Sequence, residues 1–93
     1  MAKAFEQFKD PEEIRDFGIN WAPGIGTKTI TASTWSVVLG TVAIDDDDHD
    51  TTTTTVRLSA GTLGETCKLL NQVTLSDGEQ YEQTVQLKVK ARI

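Results

Sequence analysis

Residues 67–89 read CKLLNQVTLSDGEQYEQTVQLKV, and the reading of the fold starts from their two-residue period. Cys67, Leu69, Asn71, Val73 and Leu75 share one parity. Beyond Asp77-Gly78, Tyr81, Gln83, Val85, Leu87 and Val89 do the same. Successive strand side chains point to opposite faces, so each run lays one face on a core. Glu82, Thr84, Gln86, Lys88 and Lys90 then take the other face. Asp-Gly accepts the positive φ of a tight connection, which makes the stretch an antiparallel hairpin.

Upstream segments repeat the pattern. Thr51–Ser59 is a strand with Thr54, Val56 and Leu58 inward and Arg57 outward; the Ala60-Gly61-Thr62-Leu63-Gly64 loop follows it. Thr29–Leu39 is another strand, in which Ile30 and Ala32 hold one parity and Trp35, Val37 and Leu39 the other. A bulge near Ser33-Thr34 would bring both sets to one face. Thr41–Ile44 forms a short strand, and Phe17, Ile19 and Trp21 alternate along one that starts near Arg15. Ala22-Pro23-Gly24-Ile25-Gly26 reads as a turn or open loop. Asp10-Pro11-Glu12-Glu13 carries a helix-start signal, although Gly18 leaves room for little more than a turn. Residues 1–9 read as a loosely held arm with Phe5 and Phe8 as its apolar anchors. The expectation is an all-β chain: an immunoglobulin-like β-sandwich of about seven strands over 14–93, preceded by an N-terminal arm over 1–13.

Composition agrees. Fourteen Thr, seven Val and six Ile supply 27 β-branched residues of 93, whose stiff χ1 favours strands. A chain of this length forms one small core, burying roughly 60–65% of its unfolded surface. Nine basic residues against fourteen acidic give −5, yet Asp45, Asp46, Asp47, Asp48 and Asp50 account for all of the excess. The body is neutral and one tip is acidic. Without a basic stripe, nucleic acid is not the expected ligand. No apolar run reaches the roughly 18–20 residues of a membrane span, and no secretory leader is read at Met1–Lys9. One Cys cannot form an internal disulfide, which fits synthesis in a reducing cytosol.

The residues able to do chemistry are few. Asp45, Asp46, Asp47, Asp48 and Asp50 could attract Ca²⁺, but the spacing lacks the Gly and terminal Glu of an EF-hand loop. A solvated loop between two strands is the simpler expectation. His49 has no nucleophile tied to it by sequence. Gly24-Ile25-Gly26-Thr27-Lys28-Thr29 fails as a phosphate loop, since Thr27 intervenes before Lys28 and a strand follows. Cys67 reads as a small buried hydrophobe. Trp21 and Trp35 read as core before sugar platform. Lys88, Lys90 and Arg92 share an outward face that either protects a strand edge or binds an acidic partner, such as a neighbouring subunit's Asp run. No catalytic residues, no metal and no cofactor are assigned.

Several short motifs recur here in an order that resembles the small virion proteins of tailed phages described as fiber–tail adaptor or head–tail structural proteins. They are Asp10-Pro11, Ile19-Asn20-Trp21, Ile30 with Ser33-Thr34-Trp35, Ser59-Ala60-Gly61-Thr62, Gly64, Asn71 and Gly78, across Lys9 to Val89. That family typically has Asp where Asn20 stands, Gly-Gly where Ala60-Gly61 stands, and Tyr at the position of Cys67. A Tyr there can hydrogen-bond across a sandwich corner, so this chain must hold the corner otherwise. The resemblance implies a non-enzymatic building block of the virion, assembled in the host cytoplasm. It would connect or decorate tail or head components in symmetric copies. Homo-oligomerisation and contacts with tail, portal or capsid proteins are expected, through arm exchange or β-augmentation, with Phe5, Phe8, Lys88, Lys90 and Arg92 as contact residues. Two alternatives are a capsid decoration (cement) protein and a carbohydrate-binding module using exposed Trp and Ca²⁺ at the acidic loop.

Overall fold

The 67–89 hairpin forms the middle of the larger of two sheets. The structure is a computed structural model that describes residues 5–91, with residues 5 and 6 in their backbone alone. Strands β6 (Thr66–Leu75) and β7 (Gln80–Val89) pair antiparallel, with Cys67 opposite Leu87 and Val73 opposite Tyr81. Gly78 turns between them at φ 91°, and Asp77 Oδ1 accepts the Glu79 N–H at 3.1 Å. β3 (Ile30–Leu39) pairs antiparallel with the far side of β6, and β1 (Phe5–Lys9) pairs parallel with β7. The sheet order is β1-β7-β6-β3.

The second sheet has the order β2-β5-β4, from β2 (Arg15–Asn20), β5 (Thr53–Ala60) and β4 (Val42–His49). Among the described residues this gives seven strands in two facing sheets, an all-β sandwich. Between the sheets lie two apolar clusters. Phe17, Val56, Leu58, Leu69 and Leu87 belong to one, and Ile19, Trp21, Ile30, Val73 and Val85 to the other. Half-buried Trp35 packs on both.

Polar side chains also sit within this core, with Asn71 at their centre. Asn71 is fully buried, and its Oδ1 accepts from Trp21 Nε1 at 3.1 Å and Thr54 Oγ1 at 2.7 Å. Its Nδ2 donates to Ser33 Oγ and to the Thr34 carbonyl, both at 3.0 Å. All four hydrogen-bonding positions of the carboxamide are filled. Trp21, Ser33, Thr34 and Asn71, four of the residues that carry the family resemblance, thus meet in one buried network that joins the two sheets.

Several expectations are corrected. The segment read as a loose arm is in part a strand: Phe5–Lys9 is laid against Val85–Val89. Asp10–Glu13 makes a turn, not a helix start; Asp10 Oδ1 accepts the Glu12 N–H at 2.8 Å, and the Asp10 carbonyl accepts that of Glu13 at 3.0 Å. Ala22–Ile25, read as a turn or open loop, is a single helical turn, α1, that buries Ile25. The β3 irregularities fall between Ile30 and Ala32 and between Val37 and Leu39, not at Ser33-Thr34. Placing the first shift at Thr31 turns Ser33 inward, where Asn71 needs it. The acidic run is no loop: Asp45–Asp48 lie within β4, at the edge of the smaller sheet.

The corner where the resemblance implies Tyr is held by Glu65. Its carboxylate accepts from the Thr41 N–H at 2.7 Å, Thr41 Oγ1 at 2.9 Å and the Cys67 thiol at 2.7 Å. These donors, led by the thiol, hold the Glu65 pKa down at about 2, against 4.5 for a free Glu. A carboxylate with a depressed folded pKa contributes stability that is complete above the unfolded value and is lost as pH falls through the folded one. Asp50, held near 2 by Thr52 and Thr53, acts in the same direction. Urea midpoints are therefore expected to fall steadily from about pH 5 toward pH 2. Glu65→Gln, which cannot titrate, should flatten that limb; an unchanged slope would mean that the Glu65 contacts do not form in solution.

Candidate assembly surface

The residues singled out for contact separate into two groups on the sandwich. Phe8, Lys88 and Lys90 come together at one end of the larger sheet. Phe8 lies opposite Lys88 in the parallel register, and the Lys90 ammonium sits 4.1 Å from the centre of the Phe8 ring. Phe8 and Lys90 line a shallow concavity together with Lys9, Asp10 and Ala91. Phe8 is 42% exposed, a large apolar ring at the surface with a cation over it. Arg92 lies outside the described residues, and Phe5 is described only in its backbone. The edge-protection role considered for the last strand does not apply, because β7 is flanked on both sides by β1 and β6.

Beneath Phe8 is a residue that the sequence pattern does not flag. Lys9 is only 1% exposed, its Nζ donating to the Ala60 carbonyl at 2.6 Å and the Asp10 carbonyl at 2.9 Å. Burial pushes its pKa below the usual lysine value, while Glu13 and Asp10 pull it back up. A buried cation capped by carbonyls ties β1 to the end of β5. Ala60 takes φ 60° there, a conformation that favours Gly, which accounts for the Gly-Gly implied by the resemblance.

The second group is the acidic edge. β4 has its register shift between Ile44 and Asp46, so Asp45 is the extra residue and bonds Ser59 Oγ at 2.9 Å. Asp46 lies across from Arg57, which is engaged with Asp16 at 2.8 Å through Nε. That guanidinium lowers the Asp16 pKa. Asp50 closes the following turn by accepting from Thr52 and Thr53, and His49 Nδ1 lies 3.0 Å from the Asp50 carbonyl. The pleat sends successive carboxylates to opposite faces. Among the described residues no three His, Cys, Asp or Glu side chains converge as a metal cage. A bulge, an inward-parity charge at Asp47 and a run of like charges are the devices by which sheet edges avoid adding strands.

Trp21 is 8% exposed and Trp35 packs between the core clusters, so neither forms an open aromatic platform. Trp21 also tilts against Tyr81, ring centres 6.5 Å apart. Trp35 Nε1 is buried without an acceptor. Cys67 is buried on β6 as expected.

Comparison with known proteins places these features. A family model described as podophage GP4 fiber-tail adaptor protein gp77 matches residues 9–88. Among solved structures, the 2,6-sialyltransferase of Photobacterium sp. JT-ISH-224, in complex with CMP and lactose, matches 98% of this chain at 16% identity and a TM-score of 0.62. This chain spans 18% of that enzyme's length. The PKD domain from the KIAA 1837 protein matches over 95% of this chain and 80% of its own, at 15% identity and TM-score 0.56. Both likenesses concern the sandwich alone. No curated protein matches the chain.

Proposed function

This chain belongs to the family of the podophage GP4 fiber-tail adaptor protein gp77, a structural component of the phage tail, and on that premise we propose that it is a non-enzymatic connector working through protein–protein contacts in symmetry-related copies. The family match over nearly the whole chain carries the reading. The geometry supports it: Ile19, Trp21, Ile30 and Asn71, among the residues that carry the resemblance, are spent on the core, and the outer faces of the sandwich are free to vary with the partner. For one contact we propose the end formed by Phe8, Lys88 and Lys90, where a large aromatic ring stands exposed, a residue type enriched in interface cores.

Phage carrying Phe8→Ser are the direct test. Loss of such an anchor is expected to weaken attachment by about thirtyfold, with the isolated chain still folded. Electron micrographs should then show tails depleted of fibres. Fibre-bearing tails in particles that lack this chain altogether would sink the connector role, and labelling of the chain on the capsid shell would replace it with decoration.

A further inference from the structure

The sandwich has four sheet edges, and they are not alike. β1 carries Glu6 and Lys9, β2 carries Arg15 and Asp16, and β4 carries Asp45–Asp48 with a bulge. β3 carries no charge and no proline in ten residues, Ile30–Leu39. Its register with β6 runs unbroken from Ala32 opposite Thr74 to Val37 opposite Leu69. Among the described residues no strand pairs with its other side. In an antiparallel edge strand, half of the backbone N–H and C=O groups point away from the neighbour and are open to another chain. Val38 and Leu39, 63% and 53% exposed, extend this edge with apolar surface. Thr41 Oγ1, 3.0 Å from Thr62 Oγ1, brings the loop bearing exposed Leu63 beside them.

The neighbourhood of β3 says what would cover it. After Gly40 and Thr41 the chain passes into β4, which packs along β3 as the matching edge of the other sheet. A strand added to β3 therefore runs beside Asp47, the carboxylate of β4 that shares the inward parity of Val56 and so faces the larger sheet. A second copy fits poorly there. Two-fold pairing of β3 on β3 would set two acidic β4 strands against each other. Nor does a neighbour's β1 offer a free edge, since the Arg15 guanidinium already occupies the Phe8 carbonyl at 3.1 Å. We propose that β3 accepts an extended segment of a different tail protein by β-augmentation, and that this segment carries Lys or Arg on the flank facing β4. The inference rests on the connector reading and specifies its partner.

Hydrogen exchange on the free chain and on isolated tails tests it. Amides of residues 32–38 are expected to exchange at least about tenfold more slowly in tails. Asp47→Asn is expected to lower incorporation into tails by about fivefold while the free chain melts as before. A β3 that exchanges equally fast in tails overturns the inference alone, as does undiminished incorporation of the Asp47→Asn variant. It also fails if the free chain gains the same protection by dimerising, seen in native mass measurement. Absence of the chain from isolated tails would overturn the connector reading and this inference together.

Discussion

Gly40→Ala is expected to lower the melting temperature by about 20 °C, the larger of the two strongest effects the structure implies. Gly40 takes φ 109°, where an L side chain is strained, at the turn that carries the chain from one sheet to the other. A Cβ there would lie 2.8 Å from Cys67 Cβ and 3.0 Å from Cys67 Cα, and closer still to the sulfur. Backbone strain and overpacking add to about 3–5 kcal/mol. A 93-residue domain holds roughly 5–14 kcal/mol in all, so little remains. Combining the change with Cys67→Ala removes the sulfur but not the Cβ or the φ strain. Only part of the loss should return, measured as a coupling of about 1 kcal/mol in a double-mutant cycle. Full recovery would mean that the backbone relaxes freely, and the close approach would then count for nothing.

Asn71→Leu comes second, at about 3–5 kcal/mol, although the side chains are similar in volume. The cost comes from what is left behind: Thr54 Oγ1 loses its acceptor, Trp21 Nε1 keeps only its longer 3.3 Å bond to Thr54 Oγ1, and the Thr34 carbonyl and Ser33 hydroxyl lose a donor. Each buried group left without a partner costs about 1–3 kcal/mol, whereas removing both members of a pair can be nearly neutral. Asn71→Leu made together with Thr54→Val and Trp21→Phe should therefore destabilise by less than the three separate losses summed. Chemical denaturation of the four proteins decides this. Simple additivity would reduce Asn71 to a packing residue.

These two positions differ in how visible they were beforehand. Asn71 shares the inward parity of Cys67, Leu69, Val73 and Leu75, so its burial could be read from period alone. Its partners could not, because they come from β3, β5 and the residue that follows β2. Gly40 stood in a β-rich stretch without any mark of its tight approach to Cys67. The same logic covers the remaining differences. β2, β5, β6 and β7 each bury one face, and alternation reveals such strands. Asp45–Asp48 conceal a strand because an edge with little core beneath it tolerates carboxylates at both parities. Phe5–Lys9 is too short to show a period, and its inward position is held by Lys9, a residue type that pattern reading sends to water. What closes that position is a pair of backbone carbonyls, which leave no trace in side-chain chemistry. The contact surface was legible in part: Phe8, Lys88 and Lys90 do gather, but the uncharged edge of β3 becomes meaningful only once it is known to be an edge.

The parallel pairing of β1 with β7 sets an order in time. Phe5 lies against Val85 and Lys9 against Val89, so the first strand made must wait for the last before it has anything to bind. Until then the hairpin of β6 and β7 has not been translated, and β1 is an unpaired ribbon trailing from a growing chain. Loops of this length close slowly, and structures dominated by such distant pairings fold in milliseconds to seconds, not microseconds. Held by one neighbour alone, β1 is also the strand that a crowded assembly line could trade between nascent copies. A structural component built this way completes its larger sheet only once its last strand has been made.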